Sequence, residues 1–145
     1  MGKKLTVLVG CYGDFSEYSL RCANSVHKFA DNFEALECVI GCNACSQETI
    51  NALREQRDKG RVHTLIESGR NLNKDPMMRV LLEMVETPYI LWMDDDSHFV
   101  EEGWDTAIYD FLDENPKLDV GGHIFYCHRG PEYEAFLKSR PWYAN

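Results

Sequence analysis

The sequence predicts an α/β protein built on an open, mostly parallel sheet with helices on both faces. Three observations carry this expectation. Short apolar runs alternate with segments of helical period, in the order strand-helix three times, then strand, acidic loop, helix and strand. Gly, Asn, Asp and Pro punctuate the runs, as residues that end strands and open or close helices do. The 145 residues, 44% of them hydrophobic, suffice for one domain with a real core and are too few for two.

The first strand is read at residues 5–9, short and apolar, running into the turn-rich Gly10-Cys11-Tyr12-Gly13-Asp14. Asp14 followed by Glu17 matches a capping box, which predicts a helix from near Phe15 with Leu20, Ala23, Val26 and Ala30 as its buried stripe. The second strand is read at 36–40, with Gly41-Cys42-Asn43-Ala44-Cys45 as its exit loop. Ser46 is the expected N-cap of the next helix, Ile50 and Leu53 share its inner face, and Lys59-Gly60 ends it.

A third strand at 62–66 leads into a polar loop. Asp75-Pro76 predicts a helix start, with Asp as cap and Pro at the first helical position. Met77, Val80, Leu81 and Met84 then fall on one face, and Thr87-Pro88 stops the helix. Residues 89–93 are expected to form a strand buried on both faces, and Val7, Ile40, Leu65 and Leu91 are expected to be buried on central strands. Trp104, Ala107, Ile108, Phe111 and Leu112 mark one more helix, stopped by Asn115-Pro116. A last strand is expected at 118–126 and a short helix in 131–145.

The formal net charge of −9 argues against a nucleic-acid or anionic-membrane surface as main partner, because both need clustered Lys and Arg. Lys3 and Lys4 precede an apolar run too short for a signal peptide, and no run approaches the length of a membrane span. Six cysteines without a secretory signal imply reduced thiols in a cytoplasmic protein. Cys38, Cys42 and Cys45 raise a zinc site, but no second C-x-x-C follows and His63 and His128 are distant in sequence; buried or loop thiols are the preferred reading. A homo-oligomer is compatible with the sequence.

Chemistry concentrates at Asp94-Asp95-Asp96, directly after the fourth strand. Three adjacent carboxylates repel unless something positive sits beside them. The common remedy is a divalent cation with hard oxygen ligands, Mg²⁺ or Mn²⁺, which usually also touches a phosphate. In an open α/β sheet ligands bind beyond the carboxyl ends of the strands, where these aspartates fall. The plainer alternative is a solvated acidic loop or a helix cap. The exits carrying Cys11 and Tyr12, Asn43, and the aspartates should meet on one rim. Tyr12 suits stacking on a base, and Asn43 offers a donor and an acceptor to a base edge. Arg70, Lys74 and Arg79 are placed to meet a diphosphate, although on spacing alone a solvated helix face is the slightly preferred reading of Arg79. The phosphate-binding fingerprints of dinucleotide Rossmann enzymes and P-loop NTPases are absent, and no Ser or Cys stands in a G-x-S-x-G context.

With these residues in view, the chain resembles the nucleotide-binding half of GT-A glycosyltransferases, closest to the family 2 type, over about residues 5–126. That family ends its first strand in a Tyr-Asn pair; Tyr12 matches and Gly13 departs. Its second exit loop begins with an Asp that reads uracil; Asn43 stands there, with Ser46 retained. It carries an Arg-Asn on the helix before its D-x-D; Arg79 falls near that place, followed by Val80. The D-x-D matches as Asp94-Asp95-Asp96.

The resemblance implies a Rossmann-like GT-A domain spanning 1–145 that stops before a full acceptor-binding part. It implies a metal-dependent hexosyltransferase that moves a sugar from a nucleoside-diphosphate sugar to an unidentified acceptor hydroxyl. Cys11, Tyr12, Asn43, Arg79, Asp94 and Asp95 would bind the donor, and Asp94 and Asp96 the Mn²⁺ or Mg²⁺. UDP is the first choice of nucleotide and GDP the second. No catalytic base is assigned, Glu132 and Glu134 being the late acids nearest the expected place. The competing readings are a nucleotidyltransferase, disfavoured because residues 10–14 contain no Lys or Arg, and a non-catalytic nucleotide-sugar-binding module.

Overall fold

The computed structural model describes residues 3–116. The chain divides into two compact units, Met1–Glu114 and Asn115–Asn145. The strand expected at 118–126, the helix expected in 131–145, His128, Glu132 and Glu134 lie outside the described residues.

The first unit alternates as expected: β1 (Leu5–Tyr12), α1 (Ser16–Lys28), a 3₁₀ turn (Phe33–Ala35), β2 (Leu36–Asn43), α2 (Gln47–Asp58), β3 (Thr64–Ser68), α3 (Lys74–Leu82), β4 (Tyr89–Asp94) and α4 (Trp104–Glu114). The strands form one sheet in the order β3-β2-β1-β4, and every pairing is parallel. Alternate β1 residues point to opposite faces. Leu5, Val7, Val9 and Cys11 join Cys22, Ala23 and Val26 of α1 and Leu53 of α2 in one core. Leu8 and Val39 join Met77 and Leu81 of α3 in a second core on the other face. The helices thus cover both faces of the sheet.

β1 and β2 run three residues beyond their expected ends. Gly10, Cys11 and Tyr12 stay in register with Gly41, Cys42 and Asn43, so the glycines do not break the ladder. They make room on the α3 face. A Cβ on Gly41 would stand 2.9 Å from Met77 Sδ and 3.0 Å from both Leu81 methyl carbons, and one on Gly10 would stand 3.3 Å from the Trp92 ring. β3 starts two residues late. Ahead of it, His63 N–H donates to Cys38 O at 3.0 Å and His63 Nδ1 accepts from Cys38 N–H at 3.0 Å, an imidazole standing in for a strand carbonyl.

The helix boundaries divide similarly. Ser46 caps α2 by accepting from Thr49 N–H at 3.2 Å, as expected. The Asp14/Glu17 box does not form: Phe15 occupies the cap position of α1 without a side-chain bond. Ala30 lies beyond the helix, and the buried face of α1 includes Ser19, Cys22 and Ser25 instead. α3 begins at Lys74, capped by Asn73 at φ 65°, so Pro76 is its third residue. Pro is tolerated there because first-turn N–H groups have no intrahelical partner. Met84 is past the end of α3 and exposed.

Burial on the outer strands falls short of expectation. Val7 and Ile40 are fully buried, but Leu65 and Leu91 are only half-buried. Tyr89 and Ile90 are exposed, so β4 is not buried on both faces. Among the described residues only β1 and β2 have a strand on each side. In α4, Trp104 is buried, while Ala107 and Phe111 are exposed. Trp104 stacks on Phe99 with ring centroids 4.0 Å apart and donates from Nε1 to Val26 O at 3.3 Å. Asp105, 1% exposed, accepts from the N–H groups of Asp31 at 2.8 Å and Asn32 at 3.0 Å, tying α4 to the end of α1.

Candidate functional site

A cavity of about 840 Å³ opens at the carboxyl ends of β1, β2 and β4. The parallel order places the three exits side by side, and backbone bonds fix them. Ser46 N–H donates to Gly13 O at 2.9 Å, and Ala44 N–H donates to Ser68 O at 3.0 Å.

Tyr12 lines the cavity and is half exposed. Phe15 and Tyr18 line it too, both exposed, their rings edge to face at 6.3 Å. Sequence alone marks Phe15 only as a helix boundary and gives Tyr18 no role; the signal for both is the three-residue step from Tyr12 to Phe15 to Tyr18. Cys11 lines the cavity with its side chain buried on the α1 face, and burial pushes its thiol well up, so the protonated thiol is the resting form.

Asn43 is 6% exposed, and its amide is engaged by the loop between β3 and α3. Its Oδ1 accepts from Leu72 N–H at 2.7 Å, and its Nδ2 donates to Asn71 Oδ1 at 3.2 Å and Asn73 O at 3.4 Å. Asn71 Oδ1 also accepts from Asn73 N–H at 2.7 Å. Asn43 therefore fixes the loop that forms one wall of the cavity. One lone pair of Oδ1 is left for a ligand.

The aspartates diverge. Asp94 is about half exposed; it accepts from Lys74 Nζ at 2.9 Å and from Trp92 Nε1 at 3.2 Å. Asp95 turns inward, accepting from Ser19 Oγ at 2.8 Å, with the Tyr12 backbone N–H beside it. Burial raises its carboxyl above the usual range, and those two donors act in the opposite direction. Asp96 is exposed on the cavity rim, with no side-chain hydrogen bond or ion pair among the described residues. Of the three basic residues considered, Lys74 lines the cavity. Arg79 sits exposed in the last turn of α3, and neither it nor Arg70 contributes to the lining.

Among the described residues, no group of three or more His, Cys, Asp or Glu gathers as a metal site. Burial pushes the Cys38 thiol up to about 12. The Cys42 thiol is held up first by its hydrogen bond to Cys45 and then by burial. At the aspartates, the donor set is Asp96, unpartnered among the described residues, beside the half-exposed Asp94 carboxylate that Lys74 pairs. That set suits a hard cation which draws its remaining ligands from water and a phosphate-bearing molecule.

The fold and the rim cavity define a class: an open parallel α/β sheet of the GT-A kind, with a cavity beyond the strand ends. The glycosyl transferase family 2 model matches residues 6–143, and the chain belongs to that family. Solved structures share the fold. S. aureus TarS 1–349 in complex with UDP is 22% identical with a TM-score of 0.64, over 86% of this chain and 38% of that one. The TarS 1–349 complex with UDP-GlcNAc is 20% identical with a TM-score of 0.64, over 86% and 37%. The mannosyltransferase PcManGT from Pyrobaculum calidifontis, in complex with GDP-Man and Mn²⁺, is 16% identical with a TM-score of 0.70, over 94% and 39%. The chain thus spans less than two fifths of the length of these proteins. No curated protein sequence matches significantly. No helix among the described residues is long and apolar enough to cross a membrane.

Proposed function

We propose that this chain is a GT-A donor-binding domain of a glycosyltransferase. In this reading it transfers a sugar from a nucleoside-diphosphate sugar to an acceptor hydroxyl with the help of Mn²⁺ or Mg²⁺. One observation carries the reading: Tyr12, Asn43 and the three aspartates, distant in sequence, line one cavity on the strand-exit rim. Asn43 and Asp95 also hold the walls of that cavity, but core packing asks for neither Tyr12 nor the exposed Asp94 and Asp96 there. The family match across residues 6–143 supports treating the chain as a single domain of this kind.

Tyr12 stacks on the base, and the free lone pair of Asn43 Oδ1 meets its edge. Asp95 holds α1 in place through Ser19. Asp96, assisted by Asp94, would hold the cation. When bound, the cation supplies positive charge against the diphosphate that departs as the glycosidic bond breaks. UDP is the first choice of nucleotide and GDP the second, in line with the ligands of the TarS and PcManGT structures.

The test is calorimetric titration of UDP, GDP, ADP and CDP, with and without Mn²⁺, into wild type and Asp96→Asn. Expected are wild-type binding below millimolar with Mn²⁺ and loss of the metal-dependent part in the variant, with the fold intact. Absence of binding by all four nucleotides, or unchanged metal dependence in Asp96→Asn, refutes the donor-site reading. Hydrolysis of a bound nucleotide-sugar then separates an enzyme from a binding module.

A further inference from the structure

Lys74 is the only cation lining the cavity among the described residues, and it is already paired. Its Nζ lies 2.9 Å from each Asp94 carboxylate oxygen, so the ammonium straddles the group instead of favouring one oxygen. Both side chains stay largely in water, 60% and 49% exposed. An ion pair this exposed is weak and readily exchanged. The backbone beneath Lys74 is fixed, by contrast. It opens α3 directly after Asn73, whose C=O accepts from Asn43 Nδ2 and whose N–H donates to Asn71 Oδ1. The flexible four-carbon stem is therefore what moves.

We propose that Lys74 is an exchangeable counter-ion that makes cation binding conditional on a diphosphate. In the unliganded domain it neutralises Asp94 in the place a divalent cation would take. When a nucleoside diphosphate arrives with its cation, the cation takes the vacated Asp94 oxygens and the ammonium turns to an anionic phosphate oxygen. The proposal rests on the donor-site reading above. It assigns to Lys74 two effects of opposite sign: it opposes the cation alone and favours the cation together with a diphosphate. A residue that merely packed would not give that crossed pattern, and a diffuse surface charge would give it only weakly and lose it at high salt.

The experiment titrates Mn²⁺ alone by the loss of its free-ion electron paramagnetic resonance signal, then UDP at saturating Mn²⁺ by calorimetry. Wild type, Lys74→Met and Lys74→Arg are compared; thermal melts confirm folding, which an exposed side chain should not disturb. Lys74→Met is expected to bind Mn²⁺ alone roughly 2–5-fold tighter and to bind UDP with Mn²⁺ about tenfold weaker. Lys74→Arg keeps the charge and should restore both values towards wild type. Unchanged or weaker Mn²⁺ binding in Lys74→Met overturns the counter-ion role, and unchanged UDP affinity overturns the phosphate role. If wild type binds no nucleotide, the donor-site reading and the phosphate role fail together. The titration with Mn²⁺ alone still decides whether Lys74 competes for Asp94.

Discussion

Replacing Asn43 should loosen the β3–α3 loop before it alters any ligand contact. In Asn43→Ala, Leu72 N–H loses its acceptor at 2.7 Å, and Asn71 Oδ1 and Asn73 O lose a donor. Asn71 and Asn73 are exposed, so their oxygens turn to water; Leu72 is half-buried, and its N–H is the group left short. Stranding one such donor costs about 1–3 kcal/mol. A loss of about 2 kcal/mol would lower the melting temperature by about 7 °C in a domain of this size. The Leu72 amide should exchange with solvent faster, on the order of 30-fold if local opening carries the whole cost. Asn43→Asp, which restores the family's usual residue, should not be neutral. One oxygen still accepts from Leu72, but the other faces Asn71 Oδ1 and Asn73 O, acceptor against acceptor. If Asn71 turns its amide to donate, Asn73 N–H loses the acceptor it has at 2.7 Å. Urea denaturation and hydrogen exchange on both variants are the assay. Stabilities within about 0.5 kcal/mol of wild type, with unchanged Leu72 exchange, would refute the argument, since that is the usual scatter for a surface substitution.

Two further outcomes follow from groups away from the cavity. Asp105→Ala removes the acceptor of two backbone N–H groups at a buried position and should cost about 2–4 kcal/mol in urea denaturation; Asp105→Asn, which keeps one oxygen, should cost clearly less. Burial, the largest cause, and then the Lys3 charge hold His63 below the usual imidazole range, so the folded chain resists protonation there more than the unfolded chain does. The His63 contribution to stability is therefore complete above about pH 6.5 and declines as pH falls through that value and on through the folded one. His63→Gln should flatten the decline between pH 7.5 and 5.5; a denaturation series with the same slope in both proteins would count against it.

The alternation of elements was legible because parallel strands and amphipathic helices leave different apolar periods in the sequence. Ser46 and Gly60 could be placed because each acts locally, one hydroxyl on one N–H and one positive φ. The misplaced boundaries depend on distant residues. β1 reaches Tyr12 because Asn43 is its partner, and α1 buries Ser19 because Asp95 needs a donor. The convergence of three exits was readable from topology alone. That Lys74 and not Arg79 faces the cavity was not, because Asn73, in the left-handed region, starts α3 two residues ahead of the Asp-Pro signal. Asp105 looked like one more acid on a helix; only the fold brings the 31–32 backbone against it.

β1 is the first strand of the chain and the only one flanked by both β2 and β4, with Leu5 beside Leu36 on one side and Tyr89 on the other. During synthesis it can pair with β2 early, but its other edge stays open until residues 89–94 have been made. Non-local parallel pairing of this kind is slow, and an open apolar edge invites the wrong partner. In the interval, Tyr12 and Ser19 face no Asp95, and Lys74 faces no Asp94. The rim that would bind a ligand is completed by β4, the last of the described strands to be made, so a ligand for that rim cannot guide the earlier pairings. It can only stabilise the sheet once β4 is in place.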